Sequence, residues 1–301
     1  MTYLSPLAYL LGLEGAALLR GLREGTGDQA FVEARIAEIR GLLDEPTLTQ
    51  APGVTAEPGA ISTPDVYRDW APTYDSPNSM IDLEQPIVRD ILSSLPVGTA
   101  LDAACGTGRH AAYLDELGHH VIGVDASTEM LAVAAKRLPE VELHQADLHR
   151  VPVPDDSVDL VVCGLALSYI PDLAPVFAEF ARVLRPGGHL VISDAHQLLS
   201  YLRPTLARRG PAGDPAILPE YHRPLSTYLS AALPLDFQVR YCAEPHRPGP
   251  PSAITSPPPS QLLPTEMSWE LMNWCPQAST IALDVPVLVI WHFQLGGVLG
   301  S

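Results

Sequence analysis

Basic side chains are scarce in this chain. Among 301 residues Lys and Arg number 18 against 35 Asp and Glu, a formal net charge of −17 with histidine neutral. Such a charge repels polyanions at long range, and non-specific nucleic-acid binding requires cations on phosphates. Neither a nucleic acid nor an anionic membrane surface is therefore an expected partner. Cysteine is sparse too: Cys105, Cys163, Cys242 and Cys275 are far apart and form no CxxC pair. They read as reduced thiols of a cytoplasmic protein that needs no disulfide scaffold, and no metal is expected. A long uninterrupted apolar run is missing as well. The apolar N-terminus, Tyr3 to Leu19, contains Pro6 and Glu14 and lacks a basic leader, so it reads as a helix rather than a membrane span or signal.

Proline is abundant at 31 residues, but it punctuates apolar runs that exclude general disorder. Residues 7–23 and 29–43 read as two helices around Gly25-Thr26-Gly27-Asp28, making residues 1–45 a helical hairpin. In the second, Val32, Ile36, Ile39 and Leu43 recur at helical spacing after Asp28 as N-cap. That stripe is expected to pack on the main domain, or to serve a homodimer contact or a wall of the substrate site. Residues 46–65, with Pro46, Pro52, Gly53, Pro58, Gly59 and Pro64, read as a linker. The main domain is expected over 66–301, and the stretch Pro245 to Pro264, with eight prolines, as a polyproline-like surface loop or lid within it.

Apolar runs suited to buried parallel strands fall at 100–104, 120–124, 141–145, 158–164 and 189–193. Helical segments at 108–117, 127–137 and 173–184 lie between several of them, which predicts βαβ units and a parallel sheet covered on both faces. Residues 235–242 and 285–295 look like a final strand pair, the latter alternating at Val287, Val289, Trp291 and Phe293. Between them Trp269, Met272 and Trp274 either line an apolar acceptor pocket or pack as a helix on the sheet.

The first strand ends in Asp102-Ala103-Ala104-Cys105-Gly106-Thr107-Gly108-Arg109, directly before a helix. Glycines at a strand-to-helix turn let the backbone approach a ligand closely. Gly106-x-Gly108-x-x-Ala111, with Asp125 further on, also satisfies a loose dinucleotide fingerprint, so an NAD-dependent oxidoreductase is one reading. Asp102 favours another, because an acid at the strand end suits a ligand's ammonium and repels a pyrophosphate.

Here the sequence resembles the class I S-adenosylmethionine-dependent methyltransferases, whose first motif reads D/E-x-G-x-G-x-G. Ala104 stands at the family's first glycine, where its methyl need only avoid the ligand's methionine moiety. Gly123-Val124-Asp125-Ala126-Ser127 resembles the second strand end, and Gln145-Ala146-Asp147-Leu148 the third. Asp155-Asp156-Ser157-Val158-Asp159-Leu160-Val161 and Leu184-Arg185-Pro186-Gly187-Gly188 are similar to the entries into strands four and five. Tyr67-Arg68-Asp69-Trp70-Ala71-Pro72-Thr73-Tyr74-Asp75 resembles a segment that closes over the cofactor in small-molecule methyltransferases.

The resemblance implies a doubly wound α/β fold: a mostly parallel, seven-stranded Rossmann-like sheet with a C-terminal antiparallel strand, here with an N-terminal helical appendage. It implies S-adenosylmethionine as cofactor, a cofactor half over about residues 98–194, and acceptor or lid elements over 66–97 and 195–285. The cofactor residues it implies are Tyr67, Tyr74, Asp102, Ala104, Gly106, Gly108, Asp125, Ala126, Met130, Ala146, Asp147, Leu148 and Gly164. Asp125 would meet the ribose hydroxyls, Met130 would cover the adenine, and Asp147 would read its amino group.

Methyl transfer from a sulfonium is an in-line displacement in which alignment is the chief contribution. A hydroxyl or carbon-acid acceptor also needs a general base, most often histidine. His196, just after strand five, and His222 are the expected bases, with Ser168, Tyr169, Asp194 and Tyr221 around the acceptor. A small-molecule acceptor is expected, uncharged or cationic given the apolar, proline-framed lid. The rivals are the oxidoreductase and a protein of the same fold that binds the cofactor without transferring methyl.

Overall fold

The computed structural model describes residues 1–51, 53–205, 208–210, 213–247 and 269–297. They form two compact units: one from 1–62, 198–219 and 246–286, the other from 63–197, 220–245 and 287–301.

The second unit is built on a seven-stranded sheet, with strands β1 (Thr99–Ala103), β2 (His120–Asp125), β3 (Glu142–Gln145), β4 (Val158–Gly164), β5 (Leu184–Ala195), β6 (Phe237–Ala243) and β7 (Leu288–Leu295). The order across the sheet is β6-β7-β5-β4-β1-β2-β3. β7 runs antiparallel to both of its neighbours, and the other strands run parallel to one another. Alternation along the central strands feeds two cores. Leu101, Val161, Leu190 and Ile192 pack with Phe177, Phe180 and Phe293 on one face, and Ala100, Leu160, Val191 and Ile290 with Val88, Leu92 and Leu114 on the other. Burial of such side chains contributes about 1.5–3 kcal/mol each. With both faces covered, these central strands read as largely apolar runs, and for this reason their positions are legible. β5 starts earlier than the expected 189: Leu184 pairs with Val158, and a register shift follows before Leu160 meets His189.

In the first unit, Ser5 and Asp28 cap the helices Pro6–Glu24 and Gln29–Asp44 by accepting from Ala8 and Phe31 N–H groups. The expected linker is instead structured. Its residues form the helix Pro46–Thr49 and the strand Val54–Pro58, which belongs to a four-stranded sheet with Thr2–Leu4, Pro215–Ile217 and Arg208–Arg209. Val54 and Ala56 alternate into the core, a strand signal that the surrounding proline and glycine obscure.

The apolar stripe of the second helix is not its buried face. Ile36 and Leu43 are exposed, Val32 and Ile39 half-buried, and the buried positions are Arg35 and Leu42. Arg35 turns inward because it has partners there: Glu14 at 3.2 Å, Gln277 at 2.6 Å and Glu38 at 2.7 Å. Burial pushes the Glu14 carboxyl up to about 7, against the opposing pull of Arg35.

The described residues within 198–219 and 246–286, expected among the acceptor and lid elements of the main domain, belong to this first unit. Tyr9 OH donates to Leu202 O at 3.0 Å, and Arg20 pairs with Asp284 at 2.8 Å. Leu271 and Met272 are buried in a 3-10 segment, Trp269–Trp274. Most of the proline-rich stretch, from residue 248 to 264, lies outside the described residues. Among the described residues, no helix is long and apolar enough to cross a membrane.

Candidate functional site

Most of the candidate residues gather at the C-terminal edge of the parallel strands. After β1 the backbone enters the left-handed region three times, at Ala104 (φ 60°), Gly106 (φ 55°) and Gly108 (φ 83°). Cys105 N–H bonds Val124 O and Gly108 N–H bonds Cys105 O, both at 2.9 Å, which closes the loop at the tip of β2. Asp125 then fastens it: one carboxylate oxygen accepts from Gly106 N–H and the other from Ser127 N–H, each at 2.8 Å. Burial raises the Asp125 carboxyl above its usual range, with those backbone groups pulling it back. Ser127, not Asp125, caps the next helix, by accepting from Met130 N–H. Asp125 is thus a loop-holding acid with lone pairs to spare.

Ala104 gives the motif's missing glycine a physical consequence beyond its methyl group. A left-handed alanine is disfavoured by about 1–2 kcal/mol, part of which glycine's greater unfolded-state freedom offsets. Ala104→Gly is expected to stabilise the chain by about 0.5–1 kcal/mol in chemical denaturation. A loss of stability would contradict the strained geometry.

Asp102, 1% exposed, lies beneath the loop. Its Oδ2 accepts from Ala111 N–H at 2.8 Å, while Oδ1 is buried without a hydrogen-bond partner among the described residues. Burial pushes this carboxyl up to about 6, against the pull of His110, Ala111 N–H and Arg109. A buried acceptor left open is unusual and marks a place for a donor.

The remaining cofactor candidates divide. Met130 and Leu148 are buried, Ala146 is half-buried with its N–H on Asp125 O at 3.0 Å, and Ala126 is exposed with its carbonyl on Gln145. Asp147 is exposed and engaged locally, accepting from His149 N–H at 2.8 Å and pairing with the His149 ring. Desolvation opposes those bonds, but they hold its carboxyl below the usual range. At Gly164, which ends β4, an added Cβ would stand 2.7 Å from His110 Nε2.

That histidine belongs to a cluster that the sequence did not reveal. Glu84, 0% exposed on the helix Ser79–Ser93, accepts from Arg109 at 2.6 Å and Ser193 Oγ at 2.8 Å, with His110 Nε2 at 2.9 Å. Burial favours protonation of Glu84, yet His110 and Arg109 outweigh it and hold the carboxyl at about 2. A single acid in an amphipathic helix normally signals the solvent face, so nothing local marked it.

Tyr67 and Tyr74 form an aromatic group with Trp70 and Tyr169, the Tyr67 ring lying 6.0 Å from both Tyr74 and Tyr169. Burial, then Tyr169 and Tyr74, raise the Tyr67 phenol strongly, and burial is the main cause of Tyr74 rising to about 12. The segment is latched to the glycine loop by Asp75, which accepts from Thr107 Oγ1 at 2.8 Å and from Arg137 at 2.5 Å.

Among the residues expected around an acceptor, Asp194, Ser168 and Tyr221 are tied together by hydrogen bonds. Asp194 accepts from Tyr228 OH at 2.7 Å, Ala195 N–H at 2.9 Å and Ser168 N–H at 3.2 Å, and Tyr221 N–H bonds Ser168 O at 2.7 Å. Desolvation raises the Asp194 carboxyl, with those donors opposing. His196 is 3% exposed, its Nε2 held by Glu244 at 2.7 Å, whereas His222 is exposed.

A family model described as a methyltransferase domain matches residues 101–192. Over 145 residues the chain is 34% identical to demethylmenaquinone methyltransferase of Listeria welshimeri, covering 44% of this chain and 61% of that one. Over 128 residues it is 39% identical to trans-aconitate 2-methyltransferase of Azoarcus sp., covering 40% and 50%. A solved S-adenosylmethionine-dependent methyltransferase from Mesorhizobium loti superposes with TM-score 0.51 at 25% identity, over 70% of this chain and 97% of that one. The chain spans only 38% to 61% of the length of the first curated relatives it matches. It carries a methyltransferase domain of the class I, S-adenosylmethionine-dependent type.

Proposed function

We propose that this chain transfers a methyl group from S-adenosylmethionine to a small-molecule acceptor. The observation that carries the reading is the open, buried Oδ1 of Asp102 beneath a left-handed glycine loop tied to Asp125. An ammonium satisfies that oxygen, whereas a dinucleotide's pyrophosphate would be repelled by it. The bound cofactor would supply a methyl group already activated on a sulfonium, so the protein's task is alignment in a site that excludes water.

Asp102 would hold the ammonium, Asp125 the ribose hydroxyls, and Ala126, Met130, Ala146, Asp147 and Leu148 the adenine. Gly106, with nothing within 4 Å of an added Cβ, leaves room for close approach, and Tyr67 and Tyr74 would close the site through the Asp75 latch. Ser168, Tyr169, Asp194 and Tyr221 would border the acceptor at the ends of β4 and β5. For an acceptor whose proton must leave, His196, oriented by Glu244, and His222 are the proposed bases. The net charge of −17 and the small acceptors named in the relatives support a metabolite rather than a nucleic acid.

Calorimetric titration of the full chain with S-adenosylmethionine, S-adenosylhomocysteine and NADH tests the reading. Micromolar binding of the two sulfur ligands alone is expected, and Asp125→Ala should weaken it at least about tenfold, the worth of one charged hydrogen bond. Binding of NADH instead would make the domain an oxidoreductase scaffold. Binding of the sulfur ligands without turnover across acceptors would leave a protein that holds the cofactor and does not transfer.

A further inference from the structure

Arg223 is 7% exposed, yet among the described residues its guanidinium makes a single hydrogen bond, from NH1 to Leu167 O at 2.6 Å. NH2 is buried and has no partner among the described residues. Among the described residues, Arg35 and Arg109 also face inward, but each meets a carboxylate, Glu14 and Glu84 respectively, even though Arg35 Nε is left without a partner. A buried charged donor without an acceptor is unfavourable, and in a chain of net charge −17 carboxylates to pair with it are plentiful.

The Arg223 charge helps to pull the Asp194 carboxyl down against its desolvation, but that acid is already committed. Its oxygens accept from Tyr228 OH, Ala195 N–H and Ser168 N–H, so the guanidinium acts on it through space only. Arg223 also lies where an acceptor is needed. Leu167 belongs to the turn that follows β4, Asp194 is at the end of β5, and Tyr169 of the same turn contacts the closing residue Tyr67. Over the guanidinium, with its ring centre 5.6 Å away, is Tyr221, 39% exposed. An exposed ring changes rotamer on a picosecond to nanosecond timescale, so Tyr221 is a door that needs no backbone movement.

Resting on the methyltransferase reading above, we infer that Arg223 anchors a carboxylate of the acceptor, admitted when the Tyr221 ring swings aside. This replaces the uncharged or cationic acceptor expected from the proline-framed lid. One open nitrogen suits one carboxylate oxygen. A dianionic phosphate would need more donors and would suffer stronger repulsion from the neighbouring Asp194.

The test uses the full chain loaded with S-adenosylhomocysteine and titrated with aliphatic and aromatic carboxylic acids, each paired with its primary amide, beside inorganic phosphate. At least one acid is expected to bind about tenfold or more tightly than its amide. Arg223→Gln should remove that preference while leaving affinity for S-adenosylhomocysteine within about twofold, and Arg223→Lys, which keeps charge but not the planar fork, should fall between. The wild-type comparison of acid with amide stands even where a variant does not fold. Equal binding of acids and amides, no binding of any acid, phosphate binding as tightly as the best acid, or a preference that survives Arg223→Gln would each overturn the inference. Failure of the wild-type chain to bind S-adenosylhomocysteine would refute the methyltransferase reading instead, and the same titration of the unloaded chain would then decide the role of Arg223.

Discussion

Replacing Glu84 by alanine is expected to destabilise the chain by about 3–5 kcal/mol, the usual consequence of removing one partner from a buried ion pair. The carboxylate is 0% exposed and accepts from Arg109 and Ser193 beside His110, so its loss strands three polar groups at once. Arg109, whose side chain is 14% exposed, can recover some hydration, while His110 at 5% cannot. Glu84→Gln keeps an acceptor for Ser193 and should lie between alanine and wild type. The acid limb gives an independent readout. A carboxyl held at about 2 instead of 4.5 contributes stability that is fully present above pH 4.5 and lost as the pH falls towards 2, roughly 3 kcal/mol in all. Urea denaturation should therefore show a large gap between wild type and Glu84→Ala at pH 7 that narrows by pH 3. A gap below about 1 kcal/mol at pH 7 would show that the cluster is not a support of the fold.

How far the fold could be read in advance depends on what holds each element. Val158–Gly164 is buried on both faces, so its sequence is apolar almost without interruption and its limits match the expectation. The small sheet of the first unit is another matter. Its strands, Thr2–Leu4, Val54–Pro58, Arg208–Arg209 and Pro215–Ile217, are short, carry at most the alternation of Val54 and Ala56, and exist through pairing with distant segments. The helix Gln29–Asp44 was recognisable by its period, but its buried face was not, because Arg35 is drawn inward by Glu14 and Gln277 rather than by its own hydropathy.

The candidate site divides along the same line. Asp102, Gly106, Gly108 and Asp125 lie in or beside contiguous motifs at strand ends, where spacing alone places them at one edge. Glu84, Asp75 and Arg223 act across the fold, on Arg109 and His110, on Thr107, and on Leu167, and no spacing rule connects those positions. Asp194 was expected beside the acceptor, and the structure makes it the knot between β5, the turn Leu167–Tyr169 and Tyr228. A strand-end acid could be identified, but its donors could not.

Asp102→Asn should move stability and cofactor affinity in opposite directions. Burial raises this carboxyl from 3.8 to about 6, so in the unliganded chain the native state binds the proton more tightly than the unfolded state does. The associated stability is fully present below pH 3.8 and is lost as the pH rises through 6, amounting to roughly 3 kcal/mol by neutral pH. Asparagine retains the acceptor for Ala111 N–H without the buried charge, although its amide becomes a buried donor that costs about 1–3 kcal/mol. The variant is therefore expected to be at least as stable as wild type at pH 7, by up to about 2 kcal/mol. Affinity for S-adenosylmethionine should fall about ten- to a hundredfold, because the ammonium loses a charged, desolvated partner. The pH dependence separates this from a steric effect. In wild type, affinity should decline as the pH drops through 6 and Asp102 takes up its proton, and binding at pH 6 should release part of that proton to buffer. In Asp102→Asn both effects should vanish, and calorimetry in buffers of different ionisation enthalpy reads them directly. A variant that binds as tightly as wild type across this range would show that the open oxygen is not where the cofactor's charge is met. A variant that loses affinity together with several kcal/mol of stability would assign Asp102 to the fold rather than to the ligand. The expected pattern, a more stable chain that binds less well, is that of a charge kept in the core for its ligand.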